Sequence, residues 1–210
     1  LHQQIRRTIR RYGLLPPGSR VLVGLSGGSD SVALTRLLLD LAGNGEFEGV
    51  GVAHFNHRLR PTADRDEAFC QRFAERLALP IVTERANVAA FADEHGLSTE
   101  DAARRLRYAF LKRTATALDA SHIAVGHTQD DQAETLLLKL MRGAGLTGLG
   151  GIYPRRESVI RPLLDVTRAD LRAYLGSLGE HWIEDESNED IGNPRNRIRH
   201  RVIPELNLAA

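Results

Sequence analysis

A run of small and hydroxyl-bearing residues, Ser26-Gly27-Gly28-Ser29-Asp30-Ser31, lies between an apolar segment at 21–25 and a helical apolar pattern that begins at Val32. This order predicts a strand, a turn and a helix. The first N–H groups of a helix lack partners and lie at the positive end of its dipole, and two glycines let the backbone wrap closely around an anion. The serine hydroxyls add donors. We therefore expect this stretch to bind phosphate groups.

Asp30 is the one acidic residue of this run. A carboxylate repels phosphates unless a cation lies between them, so we expect Asp30 to face a Mg²⁺ ion that bridges it to the phosphates. A plain helix cap at Ser29 or Asp30 is the competing interpretation, but capping does not account for two glycines and three serines together. The lysine of the Walker loop and the third glycine of the dinucleotide fingerprint are both missing.

A second set of polar residues follows an apolar run at 122–126. His127 stands directly after that run, and Asp131 and Glu134 lie three residues apart, so they share one face of the helix expected there. A histidine and two carboxylates at the carboxyl end of a strand are suited to Mg²⁺ binding and proton transfer. The alternative is a helix start that is rich in acids only because the helix dipole favours them.

Strand and helix patterns alternate along most of the chain. Strand-type runs occur at 21–25, 49–55, 80–83, 122–126 and 159–164, and further helices are expected at 1–12, 64–77, 86–95, 99–118 and 167–178. This alternation predicts an α/β fold with a doubly wound, mostly parallel sheet of about five strands and helices on both faces. Pro162 lacks an N–H donor, so the last strand is expected at a sheet edge.

Other polar residues, taken one at a time, give weaker evidence of a functional role. His54 and His57 end the second strand, but no third Cys, His or carboxylate accompanies them at ligand spacing, so hydrogen-bonding roles are favoured over a metal site. Arg104, Arg107 and Tyr108 lie within about one turn of a helix that, taken alone, is an ordinary charged helix. Their importance depends on what that helix stands beside.

The glycine content of one loop and the charge of two segments are also unusual. Five glycines fall within residues 143–151 and predict a shaped loop that can close over a substrate. An acidic stretch at 184–190 precedes five Arg or His residues within 195–201. A basic helix there would either position nucleic acid phosphates or pair with the acids, and composition leaves both open. The four arginines of the N-terminal helix are more typical of a solvated face than of a nucleic acid contact.

Size and composition narrow the protein class. With 210 residues, 42% hydrophobic, the chain can bury one sizeable core, and a net charge of +1 gives no global argument for a polyanionic partner. A single cysteine, Cys70, excludes a disulfide framework and a Cys₄ zinc or iron–sulfur site within this sequence. No apolar run approaches the length of a membrane span, so no membrane partner and a cytoplasmic location are expected. Because the sequence starts at Leu1 rather than Met, an excerpt of a longer protein is one interpretation.

Several separate motifs match one family in the right order. They are Ser26–Ser31; His54-x-Asn56-His57-x-Leu59-Arg60; Glu100-x-x-Ala103-Arg104-x-x-Arg107-Tyr108; Gly126-His127-x-x-Asp130-Asp131-Gln132-Ala133-Glu134-Thr135; Arg142-Gly143-Ala144-Gly145-Leu146-x-Gly148-Leu149; Arg161-Pro162-Leu163-Leu164; Asp185-x-Ser187-Asn188; and Arg195-Asn196-x-Ile198-Arg199. With these motifs the chain resembles the bacterial tRNA(Ile)-lysidine synthases, within the N-type ATP pyrophosphatases of the PP-loop superfamily.

The resemblance implies a ligase. ATP would adenylate the C2 carbonyl oxygen of the wobble cytidine in the CAU anticodon of tRNA(Ile) and release pyrophosphate, and the amine of free L-lysine would then attack C2 and expel AMP. Ser26 to Ser31 would hold the β and γ phosphates, and His54 would border the adenine. Arg107 would stabilise charge at the α-phosphate or hold the activated base. His127, Asp131 and Glu134 would orient the cytidine, the lysine ammonium or its proton acceptor.

The same resemblance implies the remaining contacts and the domain organisation. Contacts to tRNA or lysine would involve His57, Arg104, Arg142, Gly143, Arg195, Asn196 and Arg199. Residues 1–210 would form a single PP-loop catalytic domain in which 165–210 is a helical part, with no additional C-terminal tRNA-binding domain in this chain. A homodimer is left open. The competing functions are a related tRNA thiolase, disfavoured by the lone Cys70, and a nucleotide-binding module that has lost catalysis.

Overall fold

The structure, a computed structural model, describes residues 1–59, 61–184 and 190–209. Arg60 and the motif residues Asp185, Ser187 and Asn188 lie outside the described residues.

The strands form one six-stranded sheet. Their bounds are β1 Arg20–Gly24, β2 Gly49–Asn56, β3 Ile81–Arg85, β4 His122–Ala124, β5 Arg155–Arg156 and β6 Val159–Ile160. The order across the sheet is β3-β2-β1-β4-β6-β5, and every neighbouring pair is parallel except β5 with β6. The prediction of a doubly wound, mostly parallel α/β sheet is confirmed, with six strands in place of about five.

The helices alternate with these strands. Their bounds are α1 His2–Tyr12, α2 Ser29–Gly43, α3 Ala63–Arg76, α4 Val88–His95, α5 Thr99–Ala117, α6 Gln129–Met141, α7 Arg168–Ser177, α8 Pro194–Arg197 and α9 Ile203–Ala209, with a π-helical turn at Ile198–Val202 between the last two. Among the described residues, no helix combines the length and the apolar character that crossing a bilayer requires.

Hydrophobic residues pack on both faces of the sheet, as side-chain alternation along strands requires. Val21 and Val23 of β1 point to one face, where α1, α2, α3 and α7 contribute the core, and Leu22 points to the other, against α4 and α5. Most residues of α2 are buried, because this helix packs against the sheet on one side and against α7 on another. The central strand is therefore a rigid support for the loop that follows it.

The strand order reverses between β1 and β4, and such a switch point opens a crevice at the carboxyl ends of the strands. The chain leaves β1 into the loop at 25–28 and leaves β4 into 125–128, so both loops border this crevice. Gly126 shows how closely they approach: a Cβ there would lie 3.1 Å from the backbone of Asp30. The two motifs that were most informative in the sequence are thus neighbours in the fold.

The prediction for the last strand was wrong in two respects. The strand β6 ends at Ile160, and it lies inside the sheet, between β4 and β5. The short β5 occupies the edge. Pro162 therefore does not mark an edge strand; it lies beyond the paired residues, where its missing N–H costs no ladder hydrogen bond.

Candidate active site

The loop after β1 leaves backbone donors available at the start of α2. Gly28 is the N-cap residue and has no side chain that could accept from the first turn, while its carbonyl accepts from Ser31 N and Val32 N. Gly27 has a φ of +91°, a conformation that favours glycine. The hydroxyl of Ser31 accepts from the backbone N of Ser26 at 3.1 Å and so holds the loop closed. The amides of Ser29 and Asp30, which have no backbone acceptor among the described residues, and the helix dipole make this turn suited to an anion.

His54 lies directly beneath this loop. Its ring is 5% exposed, and its Nδ1 lies 2.9 Å from the carbonyl oxygen of Leu25, the residue before the loop. That carbonyl is an acceptor, so Nδ1 carries the proton and Nε2 is an acceptor. Nε2 is buried, and none of the residues that the structure describes is its hydrogen-bond partner. Burial lowers the pKa of His54, which keeps the ring neutral.

Three carboxylates, those of Asp30, Asp131 and Glu134, face a common space and are joined through arginines. We call them the carboxylate cluster. Asp30 comes from the first turn of α2, and the other two come from the first two turns of α6. Glu134 is fully buried and Asp131 is 8% exposed. Buried carboxylates require compensating charge or hydrogen bonds, which three guanidinium groups supply.

Arg168, in the first turn of α7, touches all three carboxylates. Its Nε donates to Asp30 Oδ2 at 3.1 Å and its Nη2 donates to Asp131 Oδ1 at 3.4 Å, while Nη1 lies 3.6 Å from Glu134 Oε1. The backbone N of Arg168 donates to Asp130 at 2.8 Å, which fixes the start of α7 against α6. One arginine therefore connects the two loops across the crevice.

Arg195 and Arg199 reach the same cluster from the C-terminal helices. Arg195 donates through Nε to Glu134 at 2.6 Å and through Nη2 to Asp131 at 2.8 Å. Arg199 donates through Nε and Nη2 to the two oxygens of Glu134, at 2.6 and 3.2 Å. The sequence left open whether these basic residues pair with the preceding acids at 184–190 or contact nucleic acid, and neither alternative included the α6 carboxylates. In the structure both pair with the α6 carboxylates.

Asp131 has a structural and an electrostatic role at once. Its Oδ2 accepts from the backbone N of Thr128 at 2.8 Å, and its own N–H donates to the Thr128 hydroxyl, which completes a capping box. Its Oδ1 faces Arg168 and Arg195. The capping interpretation and the functional one are therefore compatible, because each uses a different oxygen.

The carboxylates differ in their proton affinity. Burial raises the pKa of Asp30, and the charge and hydrogen bond of Arg168 only partly oppose this. Burial also acts to raise the pKa of Asp131, but the Thr128 backbone hydrogen bond and the charges of Arg195 and Arg168 outweigh it, so the pKa of Asp131 is lowered. Asp131 is thus held ionised, while Asp30 takes up a proton more readily than an ordinary aspartate.

His127 and Arg107 complete the wall of the crevice. Burial lowers the pKa of His127 to about 4, with further lowering by the charges of Arg161, Arg107 and Arg195 and an opposing effect of Asp131. Burial also lowers the pKa of Arg107, whose Nε is buried and has no hydrogen-bond partner within residues 1–59, 61–184 and 190–209. A buried guanidinium with an unused donor is suited to bind an anion.

Asp30 can serve as a Mg²⁺ ligand only if phosphate oxygens supply further ligands. Its Oδ1 accepts from Ser29 Oγ at 3.1 Å and its Oδ2 from Arg168, and within the described ranges no group of three His, Cys, Asp or Glu residues is placed to hold a metal ion. Mg²⁺ is commonly bound through one or two carboxylates plus substrate phosphates and waters. The donor set is therefore sufficient for Mg²⁺ when phosphate oxygens lie in the adjacent loop.

Residues 1–206 match the PP-loop domain family, so the match includes the phosphate-type loop, the carboxylate cluster and the C-terminal arginines. The chain belongs to the PP-loop family.

The curated relatives of this PP-loop chain are longer proteins. It is 44% identical over 207 residues to the tRNA(Ile)-lysidine synthase of Geobacter sulfurreducens, covering 97% of this chain and 44% of that protein. It is 46% identical over 192 residues to the tRNA(Ile)-lysidine synthase of Thermus thermophilus, covering 91% of this chain and 36% of that protein. The chain therefore spans less than half the length of these relatives.

Solved structures with much lower identity share the fold. The U34-tRNA thiolase NcsA from Methanococcus maripaludis, with its [4Fe-4S] cluster, aligns with a TM-score of 0.71 at 16% identity over 98% of this chain and 77% of that one. The NH3-dependent NAD synthetase from Campylobacter jejuni aligns with a TM-score of 0.56 at 17% identity over 85% and 72%. At this identity the likeness concerns the PP-loop fold alone.

The remaining predicted site residues are less closely associated with the PP-loop crevice. Arg104 is exposed and stacks over the Tyr108 ring, with its Cζ 5.2 Å from the centroid, and His57 packs edge-on against Phe55 at 4.8 Å. Arg142 is exposed at the C-terminal end of α6, followed by Gly143 at a φ of +75°. Asn196 is buried and donates to the Asp190 carbonyl at 3.0 Å, so it holds the turn before α8.

Two residues of the site were missed from the sequence. Arg168 received no role, although an arginine in the first turn of a helix opposes the dipole and so signals a special partner. Arg161 belongs to the motif Arg161-Pro162-Leu163-Leu164, which by itself assigns it no role. It is 5% exposed, and its Nε donates to His127 Nδ1 at 3.3 Å. A charged residue directly after a buried strand was the available signal.

Proposed function

We propose that this chain is the catalytic PP-loop domain of a tRNA(Ile)-lysidine synthase. The reaction has two steps. The C2 oxygen of the wobble cytidine attacks the α-phosphate of ATP and releases pyrophosphate, and the amine of L-lysine then bonds to C2 as AMP leaves with the oxygen. The relatives in Geobacter sulfurreducens and Thermus thermophilus, which carry this name, support the proposal.

The observation that carries the proposal is the bridge formed by Arg168. This residue binds Asp30, beside the phosphate-type loop, and also Asp131, at the exit of β4. The nucleotide site expected in the loop and the substrate site expected at the carboxylates therefore share one crevice. In-line transfer requires the reacting groups to be held together in this way.

The phosphate end of ATP would lie at the start of α2. The amides at the start of α2 would donate to the β and γ phosphates and stabilise the leaving pyrophosphate, and the hydroxyl of Ser29 would join them once it turns away from Asp30. Asp30 would help to hold Mg²⁺, which supplies Lewis-acid charge neutralisation for the pyrophosphate when bound. Arg107, whose Nε donor has no acceptor in the described part of the chain, would contact the α-phosphate.

The carboxylate cluster would bind the lysine side-chain ammonium or amine. Asp131 is held ionised and so attracts a cation, and fully buried Glu134 adds a second acceptor. Three arginines occupy these oxygens in the structure, so lysine must compete with or displace at least one guanidinium contact. Arg195 and Arg199 lie on the short C-terminal helices and are the contacts most easily exchanged, since Arg168 is fixed by its backbone bond to Asp130.

The test uses purified protein, labelled ATP, labelled lysine and a tRNA(Ile) transcript with a CAU anticodon. Lysine incorporation with release of AMP and pyrophosphate is the expected result. Asp131→Asn removes the charge of a buried, paired carboxylate and is expected to reduce lysine incorporation by about 10²-fold or more. Asp119→Asn is the matched control, because Asp119 is 94% exposed and precedes the amino end of β4, whereas the site lies at the carboxyl end of that strand; it is expected to leave the rate unchanged.

The same assay separates the competing functions. Turnover that depends on a sulfur donor would indicate a tRNA thiolase, the class of the neighbour from Methanococcus maripaludis, and would refute the proposal. ATP binding with no AMP release would indicate a non-catalytic nucleotide-binding module and would refute it as well. Near-normal lysine incorporation by Asp131→Asn would remove that residue from the site.

A further inference from the structure

We propose that Arg161 is a positioning residue that fixes His127 in one tautomer, so that His127 acts in the reaction as a neutral Nε2–H donor and not as the base for lysine. The inference rests on the proposed function for its catalytic meaning. Its structural part, the location of the ring proton, stands on the contacts of these two side chains alone.

Arg161 is held rigidly from two sides. It follows β6, it is 5% exposed, and its Nη1 donates to the carbonyl oxygen of Tyr153 at 2.8 Å. Its backbone N donates to the Pro154 carbonyl at 2.9 Å. The guanidinium plane is thus fixed before it meets His127, and its Nε lies 3.3 Å from Nδ1 of that ring.

Only one assignment of donor and acceptor is chemically possible for the contact between Arg161 and His127. A guanidinium has five N–H donors, no acceptor, and is always protonated in proteins, so Arg161 Nε must donate and His127 Nδ1 must accept. A ring nitrogen that accepts carries no proton, which places the single proton of the neutral imidazole on Nε2. Among the described residues, none hydrogen-bonds to Nε2, so this N–H is available to a substrate.

The groups that face His127 keep the ring neutral. Arg161 lies at the end of β6, Arg107 on α5 and Arg195 on α8, and all three are cations; Asp131 on α6 is the opposing anion. Three positive charges against one negative charge, in a buried position, disfavour the imidazolium. The lowered pKa of about 4 agrees with this balance.

This assignment limits what His127 can do. A nitrogen that bears the proton has no lone pair, and the lone pair of Nδ1 is engaged by Arg161, so the ring cannot take a proton from the lysine ammonium. It can donate to an oxygen acceptor, the chemical class to which a phosphate oxygen and the cytidine O2 both belong. The proton acceptor for lysine must then be another group.

The first experiment reads the tautomer directly. Two-bond ¹H–¹⁵N correlation spectra of ¹⁵N-histidine protein at pH 7 distinguish the protonated from the bare ring nitrogen, and the His127→Gln spectrum assigns the signal among the eight histidines. We expect the proton on Nε2 in the wild-type protein. A proton on Nδ1, or an imidazolium at pH 7, would overturn the proposal, and this reading requires no variant of Arg161 to fold.

Variants of Arg161 test its positioning role. Arg161→Met removes the donor, and we expect a mixture of tautomers and a pKa of His127 that rises toward its usual value. Arg156→Met is the matched control, since Arg156 is exposed on the neighbouring strand β5; it should leave the His127 signals unchanged. An unchanged Nε2–H tautomer and pKa in a folded Arg161→Met protein would refute the assignment to Arg161.

The activity of variants at position 127 distinguishes a hydrogen-bond donor from a general base. Gln places an amide N–H near the position of Nε2 but cannot accept a proton, so His127→Gln is expected to retain at least ten times the kcat of His127→Ala. Equal loss in both variants would refute the donor role. If the protein transfers no lysine at all, the proposed function fails, while the spectra still decide where the ring proton lies.

Discussion

The change Glu134→Gln tests whether the carboxylate cluster holds the C-terminal helices in place. Glu134 is fully buried, and its two oxygens accept from Arg195 Nε and Arg199 Nε, each at 2.6 Å, with Arg168 Nη1 at 3.6 Å. The amide has nearly the same shape as the carboxylate but no charge. Three guanidinium groups would then share the remaining charge of Asp131 and Asp30.

The expected cost can be worked from these contacts. Breaking a buried ion pair by removing one partner costs about 3–5 kcal/mol, and we take about 3 kcal/mol because the amide oxygen still accepts one hydrogen bond. For a protein of this size, each kcal/mol lowers Tm by about 2–4 °C, so the variant should melt about 6–12 °C lower if the loss is global. If it is local, opening of the segment at 194–202 should increase by about 10²-fold.

Two measurements distinguish these outcomes. Thermal unfolding gives the global change, and limited trypsin digestion reports the local one, because 194–202 contains four arginines at which trypsin can cut once the segment opens. Glu157→Gln is the matched control, since this exposed glutamate pairs only with Lys112 among the described residues. Its Tm and its digestion rate are expected to equal those of the wild-type protein.

A Glu134→Gln protein that melts at the same temperature as the control and is cleaved no faster after Arg195 and Arg199 would contradict this role of Glu134. Such a result would mean that the two arginines are held by other contacts, and that their pairing with Glu134 contributes little to the position of α8.

Three further predictions concern the loops of the site. Gly27→Ala should cost about 1–3 kcal/mol and weaken ATP binding in calorimetry, because alanine resists the φ of +91° and its Cβ would lie 2.6 Å from Ile183 Cδ1. His127 binds a proton below about pH 6.5 in the unfolded chain but only below about pH 4 in the folded protein. The free energy of unfolding should therefore fall by up to about 3 kcal/mol as the pH drops from about 6.5 to about 4. Urea titrations should show a smaller dependence on pH for His127→Asn. Gln132 bonds both the N–H and the C=O of Ile152, so Gln132→Ala should speed hydrogen exchange at Ile152 by about 10-fold; an unchanged rate would contradict this role.

Local features were predictable because their causes are local. The helix that begins after the glycine loop and the boundary between the helices expected at 86–95 and 99–118 depend on residues within one turn, and the structure confirms both, with Gly96 in the left-handed conformation and Ser98 as an N-cap. The alternation of strands and helices likewise fixed the fold class. The strand predicted at 159–164 was wrongly placed at the sheet edge. Strands of two residues, such as β5 and β6, show no periodicity in the sequence, and their pairing depends on tertiary contacts.

The sequence by itself determined the class of fold, the loop suited to phosphates and the pairing of Asp131 with Glu134 on one helical face, since these follow from spacing along one element. Only the tertiary structure decided that Arg168, 138 residues after Asp30, bridges the two halves of the crevice and that Arg161 binds His127. Charges far apart in sequence meet only when the sheet order brings their strands together. A buried carboxylate is stable only next to a cation, and the tertiary fold decides which residue supplies that cation.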